Sequence, residues 1–416
     1  MLSPPDRDHH SATLDGLRQI IRRLENARPP RPAPEPAEKV LGGELVDTGA
    51  GPLLVVRREF PLGHRHGRVG LAAAATVPEG VLALVGRLDD TVPDPRGLLF
   101  LDTETTGLAG GTGTYAFLVG TGWVEDDRFV VVQHFMRDFD EEPALVAALE
   151  PLLARATTLV TFNGLGFDVP LLETRFIMAR RRWPATLGHV DLLRPARRVW
   201  GHRMPDCRLV TLEREVLGLE RDDDVAGALI PSLFFAFLRH RNAAPLARVF
   251  THNRDDVLSL AALLGWFTEA LACAPGQLAP EDLAGLGRLW EPVDLERAAE
   301  CYRTAIEAGL DGPEAHLLGL RLARWEKRRA RWAEACALWE LATRRPIFDP
   351  LPWEELAKFH EHRRRDLSAA RTVVTNALDV AQTARVSSRV LDAFAYRLAR
   401  LDRRLSRAPS AASDAV

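Results

Sequence analysis

The chain has 416 residues, 46% of them hydrophobic and 27% charged, with a formal net charge of −3. That balance is ordinary for a globular protein of about two to four domains and excludes a wholly disordered chain. It excludes a global basic surface as well, so any contact with nucleic acid has to be local.

The N-terminus, MLSPPDRDHH, is polar, and no apolar run approaches the ~20 residues of a membrane span. A short amphipathic stretch, Leu14 to Leu24, precedes the Pro-rich run ARPPRPAPEPAEK. Proline lacks the amide that helix and sheet interiors require, so residues 1–39 read as a disordered tail and linker. The four cysteines, Cys207, Cys273, Cys301 and Cys336, form no CxxC pair. A zinc ribbon is therefore not expected, and the reading is a protein of the reducing cytoplasm.

Residues 40–96 hold the apolar runs PLLVVRREF, GLAAAATV and GVLALVG between Gly, Pro and Asp punctuation. They predict a small β-rich accessory segment. His64 and His66 in PLGHRHG have no further ligand nearby and are assigned to a loop that abuts the next domain.

From residue 97 the character changes. GLLFLD reads as a buried central strand, and AFLVGTGWV and RFVVVQHFM as two more, joined by an EDDR turn. EEPALVAALEPLLARA has helical spacing with acids in its first turn. TLVTFNG is a fourth strand, and VPLLETRFIMARRR a helix with Pro170 in its first turn. The order β-β-β-α-β-α predicts an α/β domain with a mixed sheet over 97–268.

Three places in this domain carry chemistry. Asp102-Thr103-Glu104-Thr105-Thr106-Gly107 follows LLFL, and residues two apart on a strand share a face. Asp102 and Glu104 thus project together, where a divalent cation would relieve their repulsion; a polar strand end is the plain alternative. Phe162-Asn163-Gly164 and Phe167-Asp168-Val169-Pro170 put Asp168 at a helix start, where an N-cap role is also open. His252-Asn253-Arg254-Asp255-Asp256-Val257-Leu258 opens an apolar helix through Trp266, with His252 and Asp256 four apart on one face. Four carboxylates can hold two metal ions, and a histidine beside them can handle the proton of water.

These motifs, in this order, resemble the DEDD (DnaQ-like) 3′→5′ exonuclease superfamily, in its YprB-like branch of RNase H-like domains. The resemblance covers residues 97–268. It implies an RNase H-like fold and hydrolysis of phosphodiester bonds in single-stranded DNA or RNA with two Mg²⁺ or Mn²⁺ ions. It carries Asp102, Glu104, Asp168 and Asp256 over as metal ligands and catalytic acids, with His252 handling the attacking water. His252 stands where the matching subtype has Tyr, a departure that leaves the general base open, and Asp255 is an alternative fourth acid. A weakly active or inactive scaffold that binds nucleic-acid ends and recruits a protein partner through its helical repeats is the alternative function. Leu108, Phe162 and Asn163 are candidate contacts to the terminal nucleotide. Nine arginines against two acids from Arg175 to Arg208 mark a candidate phosphate groove that begins with Arg175. The Arg221-Asp222-Asp223-Asp224 run reads as a solvated loop.

Beyond residue 288 the skeleton Ala298, Tyr302, Ala305 recurs as Ala335, Trp339, Ala342 and again as Ala370, Val374, Ala377. Offsets in the mid-thirties predict helix–turn–helix repeats resembling tetratricopeptide units over 288–400, an all-α region able to recruit a protein partner. Trp325, Trp332, Trp339 and Trp353 are assigned to the repeat core. Residues 401–416 are expected to be a disordered tail.

Overall fold

A computed structural model describes residues 34–86, 95–107, 112–184 and 187–407. The stretch Leu14–Leu24, most of the Pro-rich run, Leu108 and the last nine residues lie outside the described residues. In chain order the elements are α1 (Ala37–Leu41), β1 (Glu44–Asp47), β2 (Pro52–Pro61), β3 (Arg65–His66), β4 (Val69–Gly70), α2 (Glu79–Gly86), β5 (Leu98–Thr105), β6 (Ala116–Glu125) and β7 (Arg128–Phe135). There follow α3 (Glu142–Arg155), β8 (Thr158–Thr161), α4 (Asp168–Met178), β9 (Gly188–Asp191), α5 (Leu193–Trp200), α6 (Ile230–His240) and α7 (Leu246–Ala272). The helical remainder comprises α8 (Pro280–Trp290), α9 (Leu295–Glu307), α10 (Gly312–Arg328), α11 (Trp332–Thr343), α12 (Pro350–Lys358), α13 (Leu367–Thr383) and α14 (Ser388–Arg407).

Seven strands form one mixed sheet in the order β1-β2-β7-β6-β5-β8-β9. The pairs from β1 to β5 are antiparallel, whereas β5–β8 and β8–β9 are parallel. The apolar run of β5 is continuous because both sheet faces are covered. Phe100 faces a core shared with Val257, Val160 and Val190, while Leu99 and Leu101 face the opposite core with Leu145, Leu172 and Phe234. Helix α3 shows the matching pattern from the helical side, burying Leu145, Leu149 and Leu153 at intervals of four.

Residues 40–96 are not an accessory β-rich unit. Strand β2 pairs with β7 from Leu54↔Phe135 to Pro61↔Arg128, so β1 and β2 extend the sheet itself. Only the first of the three apolar runs is a strand. GVLALVG falls in α2, and GLAAAATV contains a short helix, Ala72–Ala75. Short apolar runs do not declare their period, and alanine favours helix.

Helix α7 begins at Leu246, two turns before its expected start. Leu246, Val249 and Phe250 continue the apolar spacing backwards and pack in the second core, whereas Val257 to Phe267 pack in the first. The helix therefore changes packing layer around Asn253. Beyond it, α8 is not separated from the sheet domain. Leu286 and Leu289 join the core that contains Val199 and Trp200 of α5, and Trp200 Nε1 donates to Asp282 at 3.0 Å. All nine skeleton residues of the helical region are buried, on α9, α11 and α13 in turn. Trp325 and Trp339 are core residues, while Trp332 and Trp353 are half-buried. Helix α14 runs on to Arg407, so the expected tail is helical in its first seven residues.

Candidate active site

The site lies where β5 loses one neighbour. Its parallel pairing with β8 covers Leu98 to Phe100 only, while its antiparallel pairing with β6 continues through Glu104 to a bulge at Thr105. From Leu101 onward the edge toward β8 is open, at the carboxyl ends of two parallel strands, a habitual place for ligands in such sheets. Asp102 and Glu104 project from this end. Helix α4 starts beside it, with Asp168 as its first residue. The N-cap position is Phe167, and the Asp168 carboxylate accepts a hydrogen bond from the Thr103 hydroxyl.

Helix α7 closes the site from the other side. Gly120 and Gly122 of β6 let it come near: an added Cβ would lie 2.3 Å from the Asn253 side-chain oxygen or 2.6 Å from Val257. Asn253, fully buried, donates to Asp102 Oδ2 at 2.8 Å and accepts from Gln133 of β7 at 2.9 Å. One turn along, His252 and Asp256 face Glu104. Glu104, His252 and Asp256 each offer a ligand atom within 4.8 Å of the others. His252 Nε2 lies 3.5 Å from Asp256 Oδ2 and 3.9 Å from Glu104 Oε1. Asp255 turns aside to pair with Arg254.

The electrostatics are those of carboxylates crowded out of water. Desolvation, then the charges of Asp256, Glu104 and Asp168, push the Asp102 carboxyl well above the ordinary range, against the Asn253 hydrogen bond. Desolvation, then Asp256 and Asp168, do the same to Glu104. Asp168 is pushed up to about 6, chiefly by desolvation, against the Thr103 bond. Oxygen donors that repel one another in this way match the preference of a hard divalent cation, and the donor set fits Mg²⁺ or Mn²⁺.

A second row of residues holds the first. The buried Arg221 guanidinium bonds Asp256 Oδ1 and both oxygens of Glu213, leaving Asp256 Oδ2 toward the site. Burial works against the Arg221 charge, but Asp256 and Glu213 outweigh it and raise its pKa. Glu213 in turn accepts from Ser259, whose hydroxyl lies 2.8 Å from His66 Nε2. His252 Nδ1 lies 2.7 Å from Asp224 Oδ1. An ionised carboxylate only accepts, so this shorter contact favours the proton on Nδ1 and the Nε2 lone pair toward Glu104 and Asp256, although Arg221 Nη1, a donor, lies 3.2 Å from the same Nδ1. The Arg221–Asp224 run is thus not a plain solvated loop, although Asp222, Asp223 and Asp224 are exposed. Arg221, Asp224, Asn253 and Glu213 escaped sequence reading. For Asn253 a signal existed, as a polar residue four after Val249 and four before Val257 on an apolar face.

The candidate substrate contacts fare differently. Phe162 is half-buried against the first core. Asn163 is exposed, adopts φ +64°, and donates its amide to Asp191 Oδ1 at 2.7 Å, which fixes the turn after β8. Arg175 does not open a phosphate groove. It is 2% exposed, pairs with Glu142, donates to the Thr112 carbonyl at 2.9 Å and covers the Tyr115 ring. Arg181, Arg203 and Arg208 are likewise paired, with Glu150, Asp282 and Asp206. Charge counted along a sequence overstates the free charge on a fold.

Comparison with known proteins gives two matches. A family profile described as the RNase_H superfamily matches residues 99–268. The uncharacterized protein YprB of Bacillus subtilis (strain 168) is 33% identical over 367 residues, spanning 85% of this chain and 86% of that protein. A match of that length takes in segments on either side of the profile's 99–268. No helix among the described residues is long and apolar enough to cross a membrane.

Proposed function

The chain belongs to the family of YprB, and its residues 99–268 form a domain of the RNase H superfamily; from that premise we propose that it is a metal-dependent 3′→5′ exonuclease of the DEDD type, acting on single-stranded DNA or RNA. The observation that carries the reading is that Asp102, Glu104, Asp168 and Asp256 lie close enough to act on one another's charge, with Glu104 and Asp256 beside Nε2 of His252.

Asp102, Glu104, Asp168 and Asp256 would hold two divalent ions, which when bound polarise the phosphate and acidify water. The residues of the chain do the rest. Asn253 fixes one oxygen of Asp102, and Arg221 fixes one oxygen of Asp256, so each acid presents its other oxygen to the site. His252 accepts the proton of the attacking water at Nε2, with Asp224 holding the tautomer. Phe162 and Asn163, on the turn that leads from β8 to Asp168, would contact the terminal nucleotide. The alternating helices α9 to α14 are read as degenerate tetratricopeptide-like repeats.

The test is cleavage of 5′-labelled oligonucleotides, single- and double-stranded, DNA and RNA, with Mn²⁺ or Mg²⁺. A 3′-shortening ladder from the wild type, absent from Asp102→Asn, is the expected result. Retained binding without cleavage of any substrate would replace the enzyme by an end-binding scaffold. His252→Ala should lower kcat by about 10²–10⁴-fold, the usual range for a lost acid–base group.

A further inference from the structure

The C-terminal end of the helical region carries a local excess of positive charge. Helix α14 contains six arginines and two aspartates, and the adjoining stretch 358–365 contains Lys358, Arg363, Arg364 and Arg365 against Glu361 alone, in a chain of net charge −3. These cations are ordered by the fold. Tyr396, Arg397, Arg400, Arg404 and Arg407 follow helical spacing and share one side of α14, over roughly 16 Å at 1.5 Å per residue. Phe394 and Leu401 bury the other side in a core with Ala370, Val374 and Ala377 of α13.

One acid organises the row. The Glu361 carboxylate is buried and accepts from Arg400 and Arg404, with Arg397 at 3.9 Å. A single negative charge thus sets several guanidiniums in place and leaves a positive excess. The remaining nearby acids are engaged or apart: Asp402 pairs with Arg371, Glu354 and Glu355 hold Lys358, and Asp392 is exposed. Beside the row, Lys358, His362, Tyr396, Arg397 and Arg400 line a cleft of about 330 Å³. Tyr396 stands at this cleft, 70% exposed.

We propose that this side of α14, with Lys358 and His362, is a second binding surface for single-stranded nucleic acid, holding the strand outside the acidic site. Cations in a row neutralise a phosphate backbone without reading sequence, and an exposed aromatic among them offers a platform for a base. An anionic membrane fits less well. A lipid-binding amphipathic helix keeps its apolar face for the acyl region, and the apolar face of α14 is spent on α13. The proposal rests on the nuclease reading for its purpose, though not for its test.

The test uses the full chain carrying Asp102→Asn, in chelator, so that nothing is cut. Binding of labelled oligothymidylate and oligouridylate of about 20 nucleotides is followed by fluorescence anisotropy at several salt concentrations. The variant adds Tyr396→Ala, Arg397→Gln and Arg407→Gln, and leaves Arg400 and Arg404 on Glu361. An unchanged melting curve shows that the fold is kept. The expected result is at least a ~10-fold loss of affinity, with the slope of log K against log salt shallower by about 1.4, two phosphate contacts at ~0.7 each. Equal affinity and slope in variant and parent would overturn the proposal. So would binding of phosphatidylserine vesicles, but of no oligonucleotide, through the same residues. Failure of the wild type to cleave, together with loss of binding in the variant, would sink the nuclease reading and leave this surface standing.

Discussion

The state of Asp168 is set by competition between removal from water, which favours the protonated acid, and the Thr103 hydroxyl, which favours the anion. Removal from water wins, and the carboxyl stands at about 6 against an ordinary 3.8. The folded protein therefore holds a proton that the unfolded chain releases. Stability from this group is fullest at low pH and is lost as pH rises from about 4 to about 6. Buried His66, His134 and His189, each lowered to about 4 chiefly by burial, act in the opposite sense over the same interval. The clean measurement is a difference. In chelator, the melting temperature of the wild type minus that of Asp168→Asn should fall as pH is raised from 4 to 7; a flat difference would contradict the assigned environment. Arg221→Gln removes the guanidinium that pairs with both Glu213 and Asp256 and should cost about 3–5 kcal/mol in urea unfolding. Asp224→Asn should leave stability nearly unchanged and lower kcat more than it changes KM, since it acts through the His252 tautomer. That Glu104, His252 and Asp256 lie together was legible because strand and helix periods fix which side chains share a face. Arg221 and Asp224 were not, because a loop contact with a helix about 30 residues away has no period.

Individual elements show where composition misleads. The exchange of strand for helix in GVLALVG follows from an apolar run too short to show a period. The late start assigned to α7 came from reading the polar HNRDD segment as a helix opening, when it is a polar interruption in a longer apolar helix. That interruption is where Asn253 crosses to Asp102 and Gln133. The close approach depends on Gly120, and Gly120→Ala should destabilise by about 1–3 kcal/mol through overpacking. It should also lower activity beyond what stability explains, because Asn253 would be pushed from Asp102. Wild-type activity in the folded Gly120→Ala protein would show that this hydrogen bond does not matter. Phe234 of α6 stacks on Phe117 at 4.1 Å beneath the sheet, and Phe234→Ala should cost about 3–5 kcal/mol without touching the acids.

At the scale of the whole molecule, the mixed sheet and the helical region were both legible from the order of periodic segments. The continuity between them was not. Sequence reading placed an accessory segment before the domain and a separate array after it. In the structure β1 and β2 complete the sheet, and α8 covers Val199 and Trp200, with Gly285 too close to Val199 for any side chain. Such contacts join segments distant in sequence and leave no local mark beyond a glycine. A chain ending at Ala274 should therefore expose Trp200 and melt well below the full protein; equal melting temperatures would show that the sheet domain stands alone.

In the proposed function, four acids from β5, α4 and α7 form one cation site. The most direct measurement is Mn²⁺ binding to metal-free protein, followed by the loss of the free-ion electron paramagnetic resonance signal. The wild type should bind about two ions per chain, and Asp102→Asn should bind fewer and more weakly. Equal binding by the two proteins, or none by either, would contradict the account.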